Sequence, residues 1–307
     1  MLAIVSHPEC LSYEAGPDHP ESAERLKAIN NQLIASGLDF VVRHYDAPLA
    51  AREQLRRAHD AAYVDRIFAM APREGSVAID GDTVMTPHSL PAALRAAGAG
   101  IMGVDLIMGG EANPVFCAVR PPGHHAEHNR AMGFCLFNNI AVAAAHALEA
   151  YGLQRIAIVD FDVHHGNGTE DIFRHDERVL FCSSFQHPFY PHTGHDSDTR
   201  NLVDVPLSAG TDGARFRERV HAHWFPALER FKPQFLFISA GFDAHVLDDM
   251  SGLQLVEADY AWITDELVSV AAKHADGRIL SMLEGGYEVD ALARSVVRHM
   301  KALLRMG

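Results

Sequence analysis

Short apolar segments alternate along the chain with longer segments of helical spacing, and this alternation restricts the fold more than any other feature of the sequence. Strand-like segments occur near residue 5 and from residues 41, 114, 155, 178, 234 and 278. Helical spacing covers residues 21–36, 91–108, 139–151, 214–231 and 256–274. Strands and helices in repeated succession predict an open α/β fold, with helices on both faces of a largely parallel sheet.

Composition and length are consistent with one domain that spans residues 1–307. The chain is 48% hydrophobic and 21% charged, and its sequence has no internal repeat and no low-complexity linker. It contains 26 lysines and arginines and 40 acids, which gives a net charge of −14. Because this negative field repels phosphate backbones, the sequence argues against nucleic acid as a partner.

The cysteines and the hydropathy pattern bear on the cellular compartment. We expect the four scattered cysteines to be reduced, buried thiols rather than disulfides or metal ligands: Cys10, Cys117, Cys135 and Cys182. The first residues lack the pattern of a signal peptide, and no run reaches about 18 uninterrupted apolar residues. We therefore expect a cytoplasmic protein that does not bind a membrane, and the sequence leaves a homo-oligomer open.

Three glycines in one predicted helix form a GxGxxG pattern, namely Gly98, Gly100 and Gly103. A dinucleotide-binding motif of this kind follows a strand and opens a helix, whereas these glycines lie within a helical stretch. We therefore expect them to allow close packing of the helix against its neighbours.

The side chains that are costly to bury lie where predicted strands end. These ends read RPPGHH, DFDVHH, SS, GFD and EGGY. Open α/β sheets bind ligands beyond the carboxyl ends of their strands, so these segments together predict one site.

A metal site is the first prediction for this edge of the sheet. Asp160, Asp162 and His164 alternate along the chain, so they point to one side of an extended segment. Asp162 and His164 are then natural neighbouring ligands, and Asp243 at another strand end supplies a third. Two carboxylates and one imidazole suit Zn²⁺ or Fe²⁺ acting as a Lewis acid and activator of water. A solvated polar turn is the alternative, which the buried strand before it disfavours.

Histidines and a tyrosine at other strand ends predict acid–base chemistry. His124 and His125 follow a rigid Pro-Pro-Gly turn, and one imidazole of such a pair can take a proton while the other tunes the local charge. Each imidazole needs an orienting partner, for which Asp160 and Asn167 are candidates. Tyr287 follows a double glycine, where its hydroxyl can donate to a developing oxyanion. Packing is the simpler alternative for this tyrosine.

The motifs taken together resemble one known family. They are RPPGHHAE with MGFCLFNN, VDFDVHHGNGTE, SAGFDAH, LEGGYE and GPDHPESAERL. In order and spacing they resemble the histone deacetylase family of the arginase/deacetylase superfamily, with its bacterial relatives, the deacetylase-like amidohydrolases and acetylpolyamine amidohydrolases. The resemblance extends from about residue 7 to about residue 300. Asn167 stands where class I members have an aspartate. This asparagine and the motif RPPGHHAE resemble the corresponding residues of the class II-like branch.

The resemblance implies roles for the residues at the strand ends. As ligands of a catalytic Zn²⁺ it implies Asp162, His164 and Asp243. His125 would be the general base toward water and then the general acid toward the leaving amine, with His124 as its electrostatic partner. Tyr287 would hydrogen-bond the substrate carbonyl and its tetrahedral successor.

The resemblance also implies residues that bind the substrate and a second cation. The aromatic walls of a narrow acyl-lysine tunnel would be Phe134 and Tyr190, with the backbone carbonyl of Gly133 at its side. At its rim, Asp82 would be the acid and Met250 the gatekeeper. Arg25 would be the arginine of the acetate pocket. A structural K⁺ would be held by Asp160, Ser183 and Ser184, together with Asp162 and His164.

The sequence leaves several functions open. The first is Zn²⁺-dependent removal of acetyl or related acyl groups from lysine in proteins or peptides, and the main alternative is deacetylation of acetylpolyamines. An arginase-like ureohydrolase would need further carboxylates at two positions where this chain has Gly166 and His245. The remaining alternative is a non-catalytic module that binds acyl-lysine, although all residues needed for turnover are present.

Overall fold

The computed structural model describes residues 1–16, 19–194 and 199–305. Its strands are β1 (Ala3–Ser6), β2 (Arg43–Asp46), β3 (Val77–Ala78), β4 (Val84–Met85), β5 (Val115–Cys117), β6 (Ile156–Asp160), β7 (Val179–Gln186), β8 (Leu202–Leu207), β9 (Phe235–Ala240) and β10 (Ile279–Leu283). Eight of them form one parallel sheet in the order β2-β1-β5-β10-β9-β6-β7-β8. Strands β3 and β4 form a separate antiparallel hairpin.

The helices between these strands flank the sheet. They are α1 (Glu9–Ser12), α2 (Ala23–Ala35), α3 (Arg52–Leu55), α4 (Ala61–Met70), α5 (Ser89–Met108), α6 (Asn139–Tyr151), α7 (Asn167–Phe173), α8 (Gly213–Phe231), α9 (Glu257–His274) and α10 (Val289–Leu303), with a short 3-10 helix at Leu38–Phe40. Helix α5 packs against α6, and α10 packs against α2 and α9. Every residue of the central strands β6, β7, β9 and β10 is buried, as is typical of a parallel sheet covered on both faces.

The predicted α/β architecture is confirmed. The predicted strands all lie in the main sheet, and the predicted helices form with ends shifted by at most two residues. The sequence did not predict three strands and five helices, namely β3, β4 and β8 and α1, α3, α4, α7 and α10. The edge strand β8 contains Asp204 and Pro206, which are both unfavourable in strands, so its apolar pattern is weak.

Helix α5 is held unusually close to its neighbours by its three glycines, as predicted. A Cβ at Gly98 would lie 1.9 Å from the carbonyl oxygen of Pro48, and one at Gly100 would lie 2.8 Å from Cβ of Ala143. By length and composition α5 also passes as a membrane-spanning helix, but 67% of its apolar window is buried inside the fold. The position of α5 is therefore that of a core helix.

The four cysteines are free and buried, which confirms the prediction of packed thiols. Burial raises the pKa of Cys10 to about 11. Its thiol therefore stays protonated at neutral pH and serves as a small apolar side chain.

The close approach at Gly98 predicts the effect of one added methyl group. Alanine normally stabilises a helix interior by about 1 kcal/mol relative to glycine. At Gly98 the methyl group meets backbone atoms of Pro48 that cannot rotate away, so we expect Gly98→Ala to lower the free energy of unfolding by about 1–3 kcal/mol. Urea unfolding measures this change.

Gly103→Ala is the matched control in the same helix. Its Cβ would meet Cδ1 of Leu280 at 2.7 Å, which is the end of a flexible side chain, so we expect a smaller loss of stability. A Gly98→Ala protein that is more stable than the wild type would contradict the packing account.

Candidate active site

The loops that follow the central strands meet at a cleft of about 430 Å³. Eight predicted site residues line this cleft: Asp82, His125, Gly133, Phe134, His164, Tyr190, Met250 and Tyr287. Phe189 and Asp249 also line it and were not predicted. The segments that are far apart in the sequence therefore assemble one site, at the edge of the sheet where they were expected.

Three of the predicted metal ligands converge next to this cleft. One ligand atom from each of Asp162, His164 and Asp243 lies within 4.8 Å of the other two. The Nδ1 atom of His164 is 3.1 Å from Oδ1 of Asp162 and 3.3 Å from Oδ2 of Asp243. All three side chains are buried, and Oδ2 of Asp243 has no hydrogen-bond partner.

Backbone groups hold the two carboxylates in place. The amide of Gly285 donates to Oδ2 of Asp162 at 2.8 Å, and the amide of Val163 donates to Oδ1 of Asp243 at 2.9 Å. A Cβ at Gly285 would lie 2.0 Å from Oδ2 of Asp243, so only glycine fits there. The oxygen of Asp243 that is left without a donor is the one that faces His164.

The pKa values show that the cluster needs positive charge. Burial and the neighbouring Asp162 carboxylate raise the pKa of Asp243 to about 6. Burial opposes protonation of His164, but the nearby carboxylates of Asp162 and Asp243 outweigh it and raise its pKa to about 10. A proton or a metal ion can supply this charge, and the donor set of one imidazole and two carboxylates fits a divalent cation.

The histidine pair is oriented by the two predicted partners. The rings of His124 and His125 lie 4.0 Å apart. Nδ1 of His124 is 2.9 Å from Oδ2 of Asp160, and Nδ1 of His125 is 2.7 Å from Oδ1 of Asn167. Because an amide oxygen only accepts, Nδ1 of His125 carries the hydrogen and Nε2 is its free acceptor.

Glu127 fixes the orientation of the Asn167 amide, and it was not predicted. Nδ2 of Asn167 donates to Oε1 of Glu127 at 2.8 Å, which turns the amide oxygen toward His125. Glu127 lies in the motif RPPGHHAE, but a contact across 40 residues has no periodic signal in the sequence.

The two histidines carry different charges. Burial opposes protonation of His124, but Asp162 and Asp160 outweigh it and raise its pKa to about 10. Burial, followed by the positive charges of His124 and His164, lowers the pKa of His125 well below its usual value. At neutral pH the pair therefore consists of a charged His124 and a neutral His125.

Glu284 holds the turn that carries both histidines, and it was also not predicted. Its Oε2 accepts from the amides of Gly123 at 2.7 Å and of His124 at 3.2 Å, and the Ser239 hydroxyl donates to Oε1. The residue is completely buried, and burial raises its pKa to about 7. Its place at the end of a buried strand, directly before the double glycine, was the signal that could have revealed it.

Tyr287 is held by its backbone and by a buried arginine. Its amide donates to Oδ2 of Asp248 at 2.6 Å. The guanidinium of Arg25 lies 4.9 Å from the centre of the Tyr287 ring and donates to the carbonyl oxygens of Gly286 and Glu284. Arg25 therefore lies behind the tyrosine, and it is not among the residues that line the cleft.

The loop with Gly133 and Phe134 closes one side of the cleft. Both residues have positive φ, and a Cβ at Gly133 would lie 2.4 Å from the ring of His125, which requires glycine there. Oδ1 of Asp82 accepts from the Gly133 amide at 3.1 Å, so this rim acid also fixes the loop. On the other side, the Tyr190 ring lies 5.2 Å from that of His125.

The predicted K⁺ ligands lie together beside the cluster of Asp162, His164 and Asp243. Asp160 pairs with Ser183 between β6 and β7, and Oδ1 of Asp160 accepts from the Asp162 amide at 3.1 Å. Ser184 follows Ser183 and is buried with it. The hydroxyl oxygen of Ser183 is buried without a hydrogen-bond partner, which fits a cation bound by oxygen ligands.

The carboxylates that a ureohydrolase would need are not available. A Cβ at Gly166 would lie 2.3 Å from Oδ2 of Asp160, so an acidic side chain does not fit there. His245 turns away from the cluster, since its Nδ1 accepts from the Leu247 amide and its Nε2 lies 3.5 Å from Glu257.

Comparisons with known proteins agree with this geometry. Residues 19–303 match the histone deacetylase domain. The chain is 38% identical to a probable deacetylase of Archaeoglobus fulgidus, over 94% of this chain and 82% of that protein. It is 35% identical to a histone deacetylase-like amidohydrolase of Pseudomonas aeruginosa, over 89% of this chain and 73% of that protein.

A solved structure matches almost the whole chain. The crystal structure of the HDA15 HD domain superposes with a TM-score of 0.92 at 33% identity, covering 99% of this chain and 88% of that one. Fold and relatives define a hydrolase that acts on amides. The chain belongs to the histone deacetylase family.

The hydrogen bonds of the Asp248 carboxylate predict that this side chain stabilises the folded protein at the cleft. It is buried and accepts from the amides of Tyr287, Glu288 and Met250, at 2.6, 3.1 and 3.0 Å. Asp248→Ala leaves these donors without partners, so we expect it to lower the free energy of unfolding by about 1–3 kcal/mol. Chemical denaturation measures this loss.

The adjacent Asp249 is the matched control. It is exposed, so we expect Asp249→Ala to change the free energy of unfolding by less than about 0.5 kcal/mol. Equal effects of the two substitutions would show that the carboxylate of Asp248 does not anchor this loop.

Proposed function

We propose that this protein is a metal-dependent deacetylase that removes acetyl or related acyl groups from the ε-amine of lysine in proteins or peptides. Asp162, His164 and Asp243 would hold Zn²⁺, or Fe²⁺ in the cell. The observation that carries this proposal is the convergence of their ligand atoms beside a cleft that a neutral His125 also lines. When bound, the metal supplies Lewis acidity next to the substrate carbonyl.

The residues around the metal divide the proton transfers. Nε2 of His125 accepts a proton from the attacking water and then donates it to the leaving amine. Burial and the charged His124 keep the pKa of His125 low, so that the base is neutral before the reaction. The Tyr287 hydroxyl donates to the carbonyl oxygen as negative charge develops, and burial raises its pKa well above the usual value, which keeps it protonated.

The cleft suits a long apolar stem with an acyl group at its end. Phe134 and Tyr190 would contact the methylene groups of acyl-lysine, with the Gly133 carbonyl at their side. Asp82 would bind the substrate backbone at the rim. Arg25, which lies behind Tyr287, would stabilise the acetate product.

Two further assignments belong to this proposal. Asp160, Ser183 and Ser184, with Asp162 and His164, would hold a structural K⁺, which the unpaired Ser183 hydroxyl supports. A cytoplasmic location is supported by the four free, buried cysteines.

Deacetylation of acetylpolyamines is the second candidate function. Asp82 and Asp249 both line the cleft, and two carboxylates there would attract a cationic substrate. Met250 lines the same rim but carries no charge, so it gives no specific attraction for a second ammonium group.

A substrate panel tests the choice between these two functions. We expect kcat/KM for acetyllysine peptides to equal or exceed that for acetylputrescine and acetylspermidine. Met250→Glu should shift the ratio toward the polyamines by about two- to fivefold, because an exposed ion pair contributes up to about 1 kcal/mol. A wild-type enzyme that strongly prefers acetylpolyamines would establish the second function instead.

Paired substitutions test the roles of base and ligand. We expect His125→Ala to lower kcat by roughly 10²- to 10⁴-fold without changing the metal content. Asp243→Ala should lose both activity and the catalytic metal, because it removes one of three ligands. Activity assays and elemental analysis of the same samples measure both quantities.

Each variant has an outcome that excludes its assigned role. Loss of metal in His125→Ala would make His125 a ligand. A metal-replete Asp243→Ala protein would exclude Asp243 from the ligand set.

A further inference from the structure

A second cluster of ligating side chains lies on the other side of the strand end that carries His164. Nε2 of His165 is 2.9 Å from Oε2 of Glu170 and 3.6 Å from Oδ1 of Asp204. One ligand atom from each residue lies within 4.8 Å of the other two. The side chains are only 1%, 9% and 10% exposed, so the cluster is shielded from solvent.

Among the residues that the structure describes, the only basic side chain within ion-pair distance of Asp204 is that of His165. Arg174 pairs with Oε1 of Glu170 at 2.5 Å, which neutralises one carboxylate. Among the described residues, neither carboxylate oxygen of Asp204 has a hydrogen-bond partner, and Nε2 of His165 has none either. A buried carboxylate is costly unless it is paired or bound to a cation, so Asp204 requires a positive charge near His165.

The second nitrogen of His165 is arranged as in a metal ligand. Its Nδ1 lies 2.8 Å from the hydroxyl oxygen of Thr193. Metal-ligating histidines usually donate their other ring N–H to an oxygen, which leaves the ligating nitrogen free of hydrogen. Gly194 and Phe185 enclose the ring, since a Cβ at Gly194 would lie 2.7 Å from Cδ2 of His165, so the imidazole cannot turn away.

The spacing of the ligand atoms also fits a metal ion. Tetrahedral Zn²⁺ with bonds of about 2.0–2.1 Å separates its ligand atoms by about 3.3–3.4 Å. The two distances from His165, 2.9 and 3.6 Å, lie on either side of that value. One imidazole and two carboxylates favour Zn²⁺ over Ca²⁺ or Mg²⁺, which prefer oxygen ligands alone.

We propose that His165, Glu170 and Asp204 form a second divalent-cation site with a structural role, distinct from the catalytic cluster. The site connects α7, the edge strand β8 and, through Thr193, the segment that carries Tyr190. A cation bound there fastens the sheet edge to one wall of the cleft.

Zn²⁺ stoichiometry tests this proposal. The protein is stripped with a chelator, reloaded with Zn²⁺, freed of excess metal and analysed for zinc per chain. We expect two equivalents in the wild type and one in Asp204→Asn, which keeps the shape of the side chain but removes its charge. Asp171→Asn is the matched control and should keep two equivalents. Asp171 lies in α7 next to Glu170 but pairs with His128, outside the cluster.

Asp243→Asn separates this proposal from the catalytic assignment. It should lose deacetylase activity and keep the zinc of the second site, whereas Asp204→Asn should lose one zinc and keep the catalytic one. The double variant should bind none.

If the wild type binds one equivalent of zinc and Asp204→Asn also binds one, the proposal is overturned. The cluster would then be a protonated His165 between two carboxylates. Two equivalents in Asp204→Asn would overturn it equally, since the second zinc would lie elsewhere. If Asp204→Asn does not fold, Glu170→Gln takes its place and should likewise bind one equivalent, and two equivalents in that variant would overturn the proposal.

Discussion

Two buried carboxylates, Asp162 and Asp243, meet at the ends of the neighbouring strands β6 and β9, and the rest of the site depends on how their charge is balanced. Both side chains are buried, at most 1% exposed, so their repulsion is only weakly screened. His164 lies between them, and the pKa values of Asp243 and His164 are both raised, which favours a positive charge at this point. A metal ion held by these three side chains would satisfy this requirement and would also supply the Lewis acidity for hydrolysing an amide.

The same requirement shapes the surrounding backbone. Glycine at position 285 lets its amide approach Asp162 while leaving room for Asp243, and Glu284 fixes the turn before His124. Acidic side chains therefore act here mainly as acceptors of backbone N–H groups, which sets the positions of the catalytic side chains. The histidine pair gains its division of charge from this network, because carboxylates face His124 and an amide faces His125.

The sheet and the ligating residues could be predicted because their signals are local. A buried strand that ends in acids and histidines is recognisable within about ten residues, and parallel topology brings such ends together. Strand β8 escaped prediction because its apolar pattern is weak. Asp248 and Glu127 escaped because each acts on a segment 39 or 40 residues away, and a contact of that range leaves no pattern in either segment. The place of Glu284 at a strand end was visible in the sequence, but its contact with a turn 161 residues away was not. The position of Arg25 behind Tyr287 could not be predicted for the same reason, because Arg25 binds carbonyl groups that are distant from it in the sequence.

The most direct test of the central claim is an anomalous difference map, measured at the absorption edge of the metal that elemental analysis finds in crystals of the purified protein. The account predicts a peak bonded to Nδ1 of His164 and to one carboxylate oxygen each of Asp162 and Asp243. A well-ordered site without such a peak, in protein that deacetylates its substrate, would contradict the account. His164 would then be a protonated side chain that pairs with both carboxylates, and the chemistry would have to proceed without a metal at this position.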